Sequence, residues 1–105
     1  MGAFTDKINA DKPTFVDFYA VWCGPCKMMD PVLKEVHQKL GDKITFLKVD
    51  IDKNPRAASF YNIRAVPTYI LFRKGQIIWQ QSGVVSRHEL ENTLLKHGTE
   101  LKDER

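Results

Sequence analysis

Two cysteines three positions apart, in the run Trp22-Cys23-Gly24-Pro25-Cys26, restrict the local structure of this chain more than any other feature. Residues at i and i+3 inside a helix hold their Cβ atoms roughly 5–6 Å apart, whereas a disulfide needs them at about 3.5–4.5 Å. The pair can close only if one cysteine stands just off a helix end. The sequence supplies that arrangement. Cys23 follows a strand-like run and a loop, Gly24 permits a turn, and Pro25 suits a first helical turn, where its missing N–H does little harm. A sulfur at that end meets unpaired backbone N–H groups and the positive pole of the helix dipole, which favours the nucleophilic thiolate. With Cys23 as N-cap and Pro25 unable to donate, the Cys26 amide becomes the natural donor to the Cys23 sulfur. Cys26, one turn inside, is expected to be more buried and less reactive. Cys23 should therefore attack and Cys26 resolve.

Two other uses of such a pair fit less well. A four-ligand zinc site needs a second pair or histidines at ligand spacing; His37, His88 and His97 stand isolated from one another, so no metal is expected. A structural staple is disfavoured because closing so short a loop constrains the unfolded chain little. A chain of 105 residues also buries enough core to fold without one.

The remaining composition narrows the partners. The formal net charge of +3 comes from basic residues scattered among acidic ones, with no basic stripe interleaved with aromatics, so nucleic acid is disfavoured. The longest apolar stretches, such as Tyr69-Ile70-Leu71-Phe72, fall far short of the roughly 18 residues of a membrane span. The start, Met1 to Lys7, lacks the basic-then-apolar order of a secretory signal, and the cytoplasm is the expected location. One domain is expected over residues 1–98, followed by a polar, fraying tail over 99–105.

Hydrophobic spacing predicts the elements. A short helix fits Phe4 to Ala10, and Phe15 to Tyr19 reads as a strand buried on both faces and interrupted by Asp17. Met28, Met29, Val32, Leu33, Val36 and Leu40 recur at helical spacing, with Gly41 as C-terminal cap and Pro31 as a source of a kink. A second strand spans Ile44 to Asp50. Asn54-Pro55 opens a short helix with Asn54 as its cap, ending before Ile63. Thr68–Arg73 and Gln76–Ser82, joined at Lys74-Gly75, form a hairpin. Ser86 to Glu89 fits a capping box for a last helix that closes near Gly98. The order predicts an α/β fold of three layers, α/β/α, with a mixed central sheet.

Trp-Cys-Gly-Pro-Cys-Lys after Val-Asp-Phe-Tyr strongly resembles the thioredoxin family. The resemblance runs from about Phe4 to Lys96 and includes Pro31, the run Lys48 to Asp52 with Asn54-Pro55, Ile63 to Thr68, Lys74-Gly75 and Gly83. It implies the thioredoxin fold and a redox-active Cys23–Cys26 disulfide with no bound cofactor. It makes Asp17 the buried carboxylate that takes and returns the proton of Cys26, and Lys48 its charge partner. On the residues alone, an Asp among aromatic neighbours in a central strand should have its neutral form favoured by desolvation. The resemblance further implies that Pro67 is cis, that the Val66 backbone pairs with an extended substrate segment, and that Trp22, Gly24, Pro25, Val66, Pro67, Gly83 and Val84 form the substrate collar. The implied activity is reduction of protein disulfides, with electrons from NADPH through a flavin-dependent thioredoxin reductase. An oxidant or isomerase is a second reading, disfavoured by Gly24-Pro25, and a binding subunit without turnover is a third.

The chain departs from the family in some places. The stretch before Phe15 has room for a short helix but no strand ahead of it, so four strands are expected, with the one around Phe46 at an edge and a monomer or weak dimer as the result. Tyr19 stands where the family often has Trp, Ala65 where Gly is common, and Ser82 where an apolar residue is common.

Overall fold

A computed structural model describes residues 2–103. In chain order the elements are α1 (Gly2–Ile8), β1 (Thr14–Tyr19), α2 (Gly24–Leu40), β2 (Thr45–Asp50), α3 (Pro55–Phe60), β3 (Thr68–Arg73), β4 (Gln76–Ser82) and α4 (Arg87–Asp103). The four strands form one mixed sheet in the order β2-β1-β3-β4. β1 runs parallel to β2 and antiparallel to β3, and β3 is antiparallel to β4.

The alternation of side chains along the two central strands explains the layers. Phe15, Tyr69 and Leu71 project to one face, where Met29, Val36 and Leu40 of α2 and Leu90 and Leu94 of α4 cover them. Val16, Phe18, Ile70 and Phe72 project to the other, against Ile8 of α1 and Ala57 of α3. This two-sided cover is why β1 and β3 read as nearly continuous apolar runs. Among the described residues β2 has a neighbour on one side only, and its Lys48 side chain is exposed there, a charge that discourages further strand pairing.

Several boundaries differ from the sequence expectation. α1 ends at Ile8 rather than Ala10, because the Ile8 and Ala10 carbonyls accept the Gly75 and Lys74 amides of the hairpin turn at 2.8 and 3.0 Å. That turn has both residues left-handed, φ 52° at Lys74 and 77° at Gly75, matching the twist of the strands it joins. Asn54 stands at the N-cap of α3, but its side chain makes no capping hydrogen bond. Its amide donates instead to the Asp50 carbonyl at 3.0 Å, drawing the loop back onto the end of β2. α2 contains Pro31 within its span, and Gly41 caps it in the right-handed region, φ −63°. A Cβ at Gly41 would press on the His37 carbonyl, so glycine is needed for close approach and not for a left-handed turn. α4 does not close at Gly98 but continues to Asp103; Gly98 lies against Ile44 and Pro13, and Thr99-Glu100-Leu101-Lys102-Asp103 holds no helix breaker. Ser86 Oγ accepts the Glu89 amide at 3.1 Å at the start of α4. No described helix is long and apolar enough to cross a membrane.

Candidate active site

The site forms where the chain leaves β1. Ala20 to Trp22 bridge from the strand to Cys23, the N-cap of α2, whose backbone is extended at φ −90° and ψ 111°. Pro25 occupies the first turn, as its fixed φ and missing donor allow. The next amide with a hydrogen is that of Cys26, which donates to the Cys23 sulfur at 3.1 Å. Cys23 and Cys26 are joined as a disulfide with their Cα atoms 5.3 Å apart. Gly24 sits in the helix with open space around it and no left-handed φ, so the turn it permits is one that other residues could also adopt.

Burial does not distinguish the two cysteines as expected. Cys23 is 3% exposed and Cys26 6%, both packed with Ala20 and bordered by Tyr19, Ile51 and Val66. The asymmetry lies in polarity: the Cys23 sulfur accepts a backbone amide at the helix terminus, and it lies 3.7 Å from the Val66 carbonyl oxygen.

A second loop closes over the pair. The Val66–Pro67 peptide is cis. Thr68 Oγ1 donates to the Ala65 carbonyl at 2.6 Å and meets Ser82 Oγ at 2.8 Å, while the Gly83 amide donates to the Pro67 carbonyl at 2.9 Å. Gly83 is left-handed, φ 93°, which lets the chain turn back at the end of β4. These bonds tie Pro67 to Gly83, and the Val66 carbonyl of the same loop lies beside Cys23. Val21, Trp22 and Val84 expose apolar surface, and Trp22 Nε1 donates to Asp52 Oδ2 at 2.8 Å. Asp52 follows Asp50, whose Oδ1 accepts the Asp52 amide at 2.9 Å. The Trp22 partner was not singled out from sequence, because a contact across a parallel strand pair has no local signature.

Asp17 lies in β1 on the sheet face that α2 covers. It is 4% exposed, and its Oδ1 has no hydrogen-bond partner within the protein. Burial pushes its carboxyl up from the ordinary 3.8 to about 6, opposed by the Lys48 charge and reinforced by the Asp30 charge. Lys48 is the cross-strand neighbour of Asp17, yet its ammonium pairs with Asp30 Oδ1 at 3.6 Å and lies 4.5 Å from the centroid of the Tyr19 ring. An ammonium loses less hydration at the exposed mouth than beside a buried carboxylate, so the lysine acts on Asp17 by charge without direct contact. A cavity of about 370 Å³ between α2 and β2 joins the three, lined by Asp17, Asp30, Leu33 and Lys48 among others. Among the described residues, no cluster of His, Cys, Asp and Glu could hold a metal ion.

The family model described as "Thioredoxin" matches residues 1–96. The thioredoxin of Alicyclobacillus acidocaldarius is 44% identical over 91 residues, covering 87% of each chain. Thioredoxin 1 of Synechococcus elongatus is 46% identical over 90 residues, covering 86% of this chain and 84% of its own. Among solved structures, the Malassezia sympodialis thioredoxin superposes with a TM-score of 0.85 at 37% identity, covering 92% of this chain and 84% of that one. Oxidized mitochondrial thioredoxin 3 of Saccharomyces cerevisiae gives 0.81 at 35%, covering 90% and 88%.

Proposed function

The chain belongs to the thioredoxin family, and from that premise we propose that this thiol–disulfide oxidoreductase acts as a reductant of protein disulfides, with Cys23 as nucleophile and Cys26 as resolving thiol. The observation that carries the assignment of roles is the Cys26 amide directed at the Cys23 sulfur at a helix N-terminus, 3.1 Å away. After reduction this donor and the helix dipole stabilise a thiolate on Cys23 and not on Cys26.

The thiolate of Cys23 attacks one sulfur of the substrate disulfide. The substrate S–S bond breaks, one substrate sulfur leaves as a thiolate and takes up a proton, and the other remains bonded to Cys23. Asp17, ionised above about pH 6, accepts the proton of Cys26 directly or through water. The Cys26 thiolate then attacks Cys23 and expels the second substrate sulfur, leaving the substrate reduced by two electrons and the Cys23–Cys26 pair oxidised. Lys48 supports the anionic form of Asp17 through its charge.

The substrate segment lies extended along Val66, whose backbone supplies strand-like hydrogen bonds. Trp22, Gly24, Pro25, Pro67, Gly83 and Val84 supply the shallow apolar surroundings. Gly24 contributes through its lack of a side chain, since nothing lies within 4 Å of where one would begin. The oxidised pair is returned to the dithiol by NADPH through a flavin-dependent thioredoxin reductase. A reducing compartment, the cytoplasm, suits this direction of electron flow, and the protein acts as a monomer or weak dimer.

The test is an assay of protein-disulfide reduction with thioredoxin reductase and NADPH, comparing the wild type with Cys23→Ser and Cys26→Ser. Turnover by the wild type alone, with mixed disulfides accumulating only in Cys26→Ser, is the expected result. No turnover by the wild type would overturn the reductase reading, and trapping by Cys23→Ser in place of Cys26→Ser would reverse the two roles.

A further inference from the structure

Tyr69 of β3 is the direct cross-strand partner of Asp17 in β1. Paired residues on antiparallel neighbours project to the same face, so the two side chains enter the same layer under α2. Tyr69 is fully buried, with its ring stacked on Phe15 at a centroid distance of 5.4 Å and an angle of 21°. Packing of that kind is served equally well by phenylalanine, and the hydroxyl adds a polar group to the core. It has no hydrogen-bond partner within the protein, and neither has Asp17 Oδ1; among the described side chains these two atoms alone are buried and unpaired.

Two orphaned polar atoms on adjacent strands and one face are an unusual coincidence, because buried polar groups are nearly always paired. They are complementary: a phenol is a donor, a carboxylate accepts only, and one water with both groups in reach satisfies them together. Their fields also meet, since burial first and then the Asp17 and Asp30 charges hold the Tyr69 hydroxyl well above the ordinary phenol range. The hydroxyl therefore keeps its hydrogen at any working pH.

We propose that Tyr69 is a positioning residue for Asp17: its hydroxyl donates, through one buried water, to Asp17 Oδ1 and holds the carboxylate ready to receive the Cys26 proton. The inference rests on Asp17 being that acceptor. The other groups facing Asp17 are the Lys48 ammonium from β2 and the Asp30 carboxylate from α2, with Lys34 and His37 farther along the cavity. Lys48 and Asp30 are held together at the exposed mouth and act on Asp17 with opposite signs. Tyr69 comes from β3, on the other side of β1 from Lys48, as a neutral donor within the core. A donor to the ionised form favours that form, so the hydroxyl offsets part of what burial imposes on Asp17.

The substitution Tyr69→Phe removes the hydroxyl and keeps the ring stack. The Asp17 carboxyl is titrated by ¹³C NMR in the oxidised protein, and the resolution of a preformed mixed disulfide is followed against pH in a single turnover. In Tyr69→Phe both midpoints are expected to move upward from about 6, by roughly half a unit to one unit. In an Asp17→Asn background, Tyr69→Phe should leave the resolution profile unchanged, and thermal unfolding should remain cooperative. Superimposable Asp17 titrations in wild type and Tyr69→Phe would overturn the proposal. If instead Asp17→Asn resolves as fast as wild type at every pH, the acceptor role of Asp17 fails, and the role of Tyr69 in the reaction fails with it even where the titration shifts.

Discussion

Trp22 Nε1 and Asp52 Oδ2 are joined by a 2.8 Å hydrogen bond that ties the residue before the nucleophile to the loop between β2 and α3. The indole is largely exposed, so without this bond little holds it in one place beside Cys23. Replacing Asp52 with Ala should free the ring, raising KM for a protein disulfide by roughly 5-fold while kcat changes less, in keeping with one exposed side-chain hydrogen bond. The comparison is a steady-state assay of wild type and variant. An unchanged KM would show that the indole is held by other contacts.

Asp17 gives the protein a stability that depends on pH. Its carboxyl rises from 3.8 to about 6 on folding. The folded chain therefore holds a proton that the unfolded chain has lost, and stability falls as pH rises through that window. Above it the ionised, buried group destabilises the fold by up to about 3 kcal/mol. Asp17→Asn should recover much of this at pH 7 in urea unfolding, with the advantage disappearing below about pH 4. The same variant should resolve mixed disulfides more slowly, by roughly 10²-fold, the lower end of a general-base contribution. Stability curves that coincide at pH 7 would contradict the first expectation.

Asp30 opposes Lys48 in setting Asp17. Its charge raises the Asp17 carboxyl, and its pairing at 3.6 Å holds the Lys48 ammonium at the cavity mouth. Asp30→Asn removes the like charge and releases the lysine, so the Asp17 midpoint should move down. Resolution should then reach its plateau at a lower pH. Both Asp30 and Lys48 are exposed, and overall stability should change little. A midpoint that stays in place in a carboxyl titration would show that Asp30 is screened by solvent.

The hairpin turn offers a test far from the sulfurs. Gly75 has φ 77°, and a Cβ there would meet the Asn9 side chain. Gly75→Ala therefore combines a left-handed alanine with a crowded contact at the point where the turn docks on α1. A loss of about 1–3 kcal/mol is expected, read as a lowered unfolding midpoint. Disulfide reduction at room temperature should be nearly unaffected, since the turn lies at the opposite end of the sheet from Cys23.

Much of this molecule could be read from local chemistry. The capping role of Cys23 follows from Gly24-Pro25 alone, because proline removes the donor that would otherwise compete with the Cys26 amide. The β1 and β3 strands were legible because burial on both faces leaves a dense apolar run, and Lys74-Gly75 because a two-residue hairpin demands a left-handed pair. What escaped the sequence depends on tertiary competition. Asn54 stands at the cap position, but its side chain makes no capping bond and its amide donates to the Asp50 carbonyl instead. Gly98 looks like a stop, but with a right-handed backbone it stays within α4, next to Ile44 and Pro13. Lys48 acts on Asp17 as its charge partner, but only the folded arrangement shows that its ammonium also pairs with Asp30, one helical turn beyond Cys26. Tyr69 gave no local signal either, since its significance comes from the strand beside it.

Cys23 and Cys26 are almost wholly out of solvent, at 3% and 6% exposure, while Val21, Trp22 and Val84 stand exposed. On the proposed function, a couple shielded in this way should respond poorly to whatever thiol happens to drift by. Contact should then need a partner of fitting shape that presses against this apolar surface and carries its own sulfur inward. Selectivity is then exercised before any bond is exchanged, and the couple can be thermodynamically ready for many reactions while remaining idle toward most of them.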